Sequence, residues 1–168
     1  MHELTLKDAL GLLTSKQISS EELTREFLRR IKEWNPVLHS FITVRENEAI
    51  EEAKEADRLR AKGITKPLLG IPIALKDNFV TKGIRTTAAS LVLKDYIPQY
   101  DATAVARLKE AGVVILGKTN LDAWGHGSSG EHTAFGVTKN PYDFSRVTGG
   151  SSSGSGASVA ADLCLAAT

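Results

Sequence analysis

The apolar residues of this chain change rhythm after Gly63. Before that point they recur at helical spacing. In TLKDALGLLTSK, Leu6, Leu10 and Leu13 share one face and Thr5 stands where a cap belongs. SSEELTREFLRRIKEWNP reads as a stronger helix. Ser19 and Glu22 have the spacing of a capping box, Leu23, Phe27, Leu28 and Ile31 form the buried stripe, and Pro36 is expected to end it. HSFITV reads as a short strand. ENEAIEEAKEADRLRAKG predicts a helix with Ala49, Ile50, Ala53, Ala56 and Leu59 inward, a solvated charged face and a stop at Gly63.

After Gly63 the apolar residues run together. PLLGIPIALKDN and VVILGKTN each predict a strand buried on both faces, as in a parallel sheet covered by helices. Between them DATAVARLKEAG predicts a helix capped by Asp101. This is α/β order, and in open α/β sheets sites form beyond the carboxyl ends of strands. That points to Lys76, Asp77 and Asn78, and to Lys118, Thr119 and Asn120. From Leu121 to Ser155 the chain is rich in Gly, Ser, Thr and Asn, yet it holds Trp124, Phe135, Tyr142 and Phe144, so an ordered loop system is expected rather than a linker. GASVAADL then predicts a helix and CLAAT a buried strand. No repeat or linker interrupts the 168 residues, which suffice for one domain with a real core.

Composition narrows the partners. Lys plus Arg total 21 and Asp plus Glu 20, a net charge of +1 that provides no electrostatic basis for direct binding to nucleic acid or membrane. Cys164 is the single cysteine, so no internal disulfide can form, which fits a reducing compartment. MHELTLKDAL lacks the order of a signal peptide and no apolar run would span a bilayer, so a cytoplasmic protein is expected.

Several motifs carry candidate chemistry. GHGSSG at 125–130 fits G-x-G-x-x-G but lacks the strand before it and the helix after it that a dinucleotide site needs. GGSSSGS at 149–155 has Walker-like glycine spacing, with Ser155 where the phosphate-binding lysine belongs. His126 and His132 with Asp122 and Glu131 lack a metal-ligand spacing, and His2 and His39 stand alone, so no metal is expected. Lys76 admits two readings. It pairs with adjacent Asp77, or it is a desolvated amine able to accept a proton from a serine held in a tight turn. GGSSSGSGAS provides such a turn, and equally a Ser-rich helix cap.

Taken together, GIPIALKDN, LGKTNLDAWGHGSSGEHTAFGVTKNPYD and VTGGSSSGSGASVAA resemble the amidase signature family. Within it they resemble most the A-type subunits of Glu-tRNA(Gln)/Asp-tRNA(Asn) amidotransferases. The likeness implies an α/β fold, part of the family's mixed sheet covered by helices. Residues 1–168 would be the N-terminal part of one amidase domain, with a mainly helical start over 1–63 and a sheet core with its Ser/Gly-rich loop over 64–168. It implies a Ser–cis-Ser–Lys mechanism with Lys76 as general base, Ser151 as the bridging serine after a cis peptide, Ser152 in support, and Gly127, Ser128 and Ser129 lining the substrate. The family's acyl-forming serine and oxyanion-hole amides lie in a GSDTGGS element that the resemblance places beyond Thr168. The expectation is therefore a chain truncated before its nucleophile and inactive alone. The resemblance further implies glutamine as substrate and ammonia as product, with the B-type and C-type subunits of the amidotransferase as partners. tRNA, ATP and Mg²⁺ would be handled by a partner, leaving no cofactor in this chain. A stand-alone amidase acting on another amide and a non-enzymatic partner-binding fragment are the alternatives. Two departures from the family pattern concern the turn and its surroundings: Ser153 stands where a Gly is usual, a spot expected to need permissive dihedrals, and Trp124 and His126 are expected to alter the pocket rim.

Overall fold

The computed structural model of the chain describes residues 4–168, and His2 lies outside them. Five α-helices form among the described residues: α1 (Leu6–Thr14), α2 (Ser20–Leu38), α3 (Glu46–Ala61), α4 (Thr103–Ala111) and α5 (Ser153–Ala160). Three strands accompany them: β1 (Phe41–Val44), β2 (Pro72–Lys76) and β3 (Val114–Thr119). The first two helices start at capping boxes. Thr5 Oγ1 accepts from the Asp8 amide at 3.2 Å, and Ser19 Oγ accepts from the Glu22 amide at 3.0 Å. In return the Glu22 carboxylate accepts from the Ser19 amide at 2.8 Å. Two orphan donors of the first turn are thus satisfied. Ser19→Ala is expected to destabilise the chain by about 1 kcal/mol, seen as a lower urea midpoint with an unchanged slope.

Strand order is β1–β3–β2, with β2 parallel and β1 antiparallel to β3. The sheet is therefore mixed. Every residue of β2 and β3 is buried, as their continuous apolar runs demand. Leu75, Ile115 and Leu116 are at most 1% exposed, so both faces of the sheet are covered. Helices α2 and α3 pack on one another and on the sheet, and α5 packs on β2 and β3. The outer edge of β1 is bound by Arg85, whose Nη2 donates to Ile42 O and Thr43 Oγ1, each at 2.9 Å. A backbone acceptor that would otherwise invite edge pairing is thereby occupied.

Four expectations are corrected. α2 does not stop at Pro36 but runs on to Leu38 and ends where His39 turns left-handed at φ 53°. Proline so near the end removes one donor only, and the residue four back, Lys32, is exposed to water. Asp101 does not cap α4, whose N-cap is Ala102 without a side-chain bond. Instead Asp101 accepts from the Lys82 amide at 2.7 Å and from Lys109 Nζ at 2.9 Å. α5 starts at Ser153, before GASVAADL. CLAAT forms no strand but a single parallel bridge, Ala74 to Ala167. It is held by Ala74 N to Ala166 O at 3.0 Å and Thr168 N to Ala74 O at 3.2 Å, too few rungs for a ladder. No helix among the described residues is long and apolar enough to cross a membrane.

Candidate active site

Lys76 is the last residue of β2, and its register partner on β3 is Thr119. Its stem is held in the sheet while its amine emerges at the carboxyl end, and the residue is 8% exposed. Lys76 Nζ donates to Ser151 Oγ at 2.6 Å, a contact spanning 75 positions of sequence. The Lys76 amide donates to Thr168 Oγ1 at 2.9 Å. Burial lowers the pKa of Lys76 below the ordinary lysine value, and the Asp122 carboxylate partly opposes that shift. The arrangement favours an amine that can release and recover a proton through a hydroxyl.

Ser151 lies in the turn before α5, after a cis Gly150–Ser151 peptide. The turn is tied down on two sides. The Asp122 amide donates to Ser151 O at 2.9 Å, and the Gly150 amide donates to Ser128 O at 2.7 Å. The start of α5 is pressed against the end of β3, where the Gly154 amide donates to Asn120 O at 2.9 Å. A Cβ at Gly154 would lie 2.9 Å from Asn120 O and nearer still to other backbone atoms, so only glycine admits this approach. Ser155 completes the join: its Oγ lies 2.8 Å from Thr119 Oγ1 and donates to Thr168 O at 2.7 Å. Ser155 is thus a structural link where a phosphate-binding loop would carry lysine.

The other residues singled out by sequence fall in different places. Ser152 is exposed, stands at the N-cap of α5, and its hydroxyl makes no hydrogen bond among the described residues. Gly127 and Ser128 are exposed and Ser129 half-buried, on the loop that Ser128 O joins to the Gly150 turn. Ser153 does not occupy a spot needing permissive dihedrals: it is the first helical residue of α5, buried, with Oγ 3.3 Å from Thr138 Oγ1. Trp124 holds a left-handed conformation, φ 63°, with its amide bonded to Ala88 O at 2.9 Å and its side chain outward. His126 is exposed beside it. Among the described residues no three His, Cys, Asp or Glu side chains converge as a metal site. Cys164 is a packing residue, its thiol pushed up to about 12 by burial.

The pairing of Lys76 with Asp77 is not formed. Asp77 is fully buried and turns to Lys118, 3.3 Å away, and it also accepts from the Thr87 amide at 2.9 Å and from the Thr87 hydroxyl. Lys118, equally buried, donates to Phe79 O at 2.9 Å and to Thr86 Oγ1 at 2.8 Å. Burial pushes its pKa down to about 8, with Asp77 opposing. The pair fastens the segment after β2 beneath the site. Strand alternation is the signal that points to it, since neighbours along a strand point to opposite faces. Asn120 does more than its place at a strand end suggests. Its Nδ2 donates to His39 O at 3.0 Å and Gly136 O at 2.8 Å, and its Oδ1 accepts from Thr133 Oγ1 at 2.7 Å, so one side chain ties the end of α2 to the loop over 133–136.

A profile of the family described as Amidase matches residues 22–168. The chain is 52% identical over 167 residues to the A-type subunit of the glutamyl-tRNA(Gln) amidotransferase of Desulfatibacillum aliphaticivorans, covering 99% of this chain and 34% of that one. Among solved structures it resembles the peptide amidase of Stenotrophomonas maltophilia, with a TM-score of 0.92, 40% identity, and coverage of 98% of this chain and 35% of that one. It also resembles the A-type subunit of the glutamyl-tRNA(Gln) amidotransferase of Thermotoga maritima, with a TM-score of 0.82, 40% identity and coverage of 99% and 33%. The chain therefore spans about a third of the length of these relatives.

Proposed function

We propose, from the premise that this chain belongs to the amidase family, that it carries the proton-relay half of an amide-hydrolysing site. The observation that bears this reading is the 2.6 Å bond from Lys76 Nζ to Ser151 Oγ, made by an amine whose proton affinity burial has lowered. In the neutral form Lys76 accepts a proton from Ser151, and Ser151 takes one from an acyl-forming serine supplied from outside residues 1–168. That serine attacks the amide carbon, and the relay run in reverse delivers a proton to the leaving nitrogen, which departs as an amine or ammonia. Water then hydrolyses the acyl-enzyme through the same pair. Splitting amide cleavage into two steps lowers each barrier. Gly127, Ser128 and Ser129 border the substrate, and Ser152, exposed at the turn, stands ready to support the relay once substrate covers it. Residues 1–168 alone are expected to be inactive.

Glutamine is the substrate we assign, with the protein acting as a cytoplasmic amidotransferase component of the A type. The B-type and C-type components are its partners, and the partner rather than this chain handles tRNA, ATP and Mg²⁺. The 52% identity to the Desulfatibacillum amidotransferase chain supports that branch, while the Thermotoga amidotransferase chain and the peptide amidase are each 40% identical. The structural match is closer to the peptide amidase, with TM-scores of 0.92 against 0.82, which keeps a stand-alone amidase as the second reading. An assay of the full-length protein separates them. Ammonia released from glutamine, and stimulated by the partner components, supports the first. Hydrolysis of peptide amides with no glutaminase activity in any combination overturns it.

A further inference from the structure

We infer that Asp122 is the positioning residue of the Lys76–Ser151 pair: its main chain holds Ser151, and its carboxylate pins residues 127–132 over the turn. Asp122 is fully buried. A buried carboxylate needs partners, and this one takes them from backbone: Oδ2 accepts from the Gly130 amide and Oδ1 from the His132 amide, each at 3.0 Å. Its own amide donates to Ser151 O at 2.9 Å. Thus one residue touches both the loop that carries Ser128 and the turn that carries Ser151.

The glycines of both segments fit around this carboxylate. A Cβ at Gly127 would stand 2.6 Å from Asp122 Oδ2, and a Cβ at Gly150 would fall on the same oxygen. These two glycines therefore make room for Asp122, which accounts for part of the GHGSSG and GGSSS patterns without a nucleotide. Asp122 approaches from the loop after β3, with His132 Nδ1 behind it at 3.6 Å from Oδ1. Asp77, next along the chain, is turned away to Lys118, which lies on β3 beneath the site. Asp122 is the carboxylate whose field raises the proton affinity of Lys76 against the effect of burial. A loop anchor alone would have no effect on that affinity.

The inference rests on the amidase reading for its catalytic meaning, but its test needs no turnover, so either can fail without the other. The full chain is labelled with ¹³C at lysine Cε, Lys76 is assigned through Lys76→Arg, and its titration is followed by NMR in wild type and in Asp122→Asn. The variant is expected to move the Lys76 midpoint to lower pH. It is also expected to speed exchange of the Gly130 or His132 amide about 10- to 100-fold, because asparagine offers one acceptor oxygen where two amides need one each. Amides of β3 should exchange as before. A folded Asp122→Asn chain with an unmoved Lys76 midpoint overturns the inference. Should that variant not fold, Gly127→Ala in the exposed loop serves instead. It crowds the carboxylate and is expected to speed exchange at Gly130 and His132, and wild-type rates there overturn the inference as well.

Discussion

Lys76→Ala is expected to lower kcat/KM for amide hydrolysis by about 10³- to 10⁴-fold in the protein that completes this site. The loss should fall on kcat, because Lys76 handles a proton rather than the body of the substrate. Lys76→Arg should be as inactive, since guanidinium stays charged and cannot take a proton from Ser151 Oγ. Ser151→Ala should cost a similar factor, because the acyl-forming serine then has no bridge to the amine. The pH profile carries the same logic. In the proposed mechanism the relay starts from neutral Lys76, so activity should rise as pH climbs through its pKa. Burial moves that pKa downward from the ordinary lysine value, and the acid limb of the profile should sit correspondingly low. Steady-state kinetics on the three variants check this. Activity within tenfold of wild type in Lys76→Ala would remove the relay from the mechanism.

Lys118→Met should be the most damaging substitution for stability. It leaves the Asp77 carboxylate buried with its Thr87 bonds but without the cation 3.3 Å away. Breaking a buried pair from one side costs about 3–5 kcal/mol, which for a chain of this size lowers Tm by roughly 10 °C. The double variant with Asp77→Asn should be less destabilised than the two singles combined. The pair also imposes a pH dependence whose sign follows from proton binding. Folded Lys118 titrates at about 8 and the unfolded chain at the ordinary value of 10.5. Below about 8 both states hold the proton and stability does not change with pH. Between about 8 and 10.5 the unfolded state holds more, so folding stability rises with pH, by on the order of 3 kcal/mol in total. Urea unfolding at pH 7.5 and pH 10 measures the rise. Its persistence in Lys118→Met would show that it comes from other groups.

Much of the local structure can be read directly from residue order. Ser19 and Glu22 announce the start of α2, and the all-apolar character of GIPIAL and VVIL identifies β2 and β3 as strands buried on both faces. Residue order misleads where a neighbour decides. Proline breaks a helix interior, but Pro36 stands close enough to the end of α2 for the last turn to close around it. Asp101 has the propensity of a cap, but Lys82 and Lys109 compete for its oxygens and win. CLAAT has the composition of a strand, but a ladder depends on how many partners a neighbour offers, and β2 offers one bridge.

The candidate site divides along the same line. Residue order alone pointed to Lys76 at the end of a buried strand and to a glycine-rich turn or helix cap at 149–155, and the resemblance to one family singled out Ser151 within it. Only the tertiary structure decided who pairs with whom. Asp77 is adjacent to Lys76 in the chain yet serves Lys118, because side chains alternate across a strand and the next residue faces the other way. Asp122 joins Ser151 from a distant loop, and Asn120 joins His39 across 81 positions. Hydrogen bonds and charge pairing depend on separation in space over a few ångströms, and separation along the chain determines that distance only within a single helix, strand or turn.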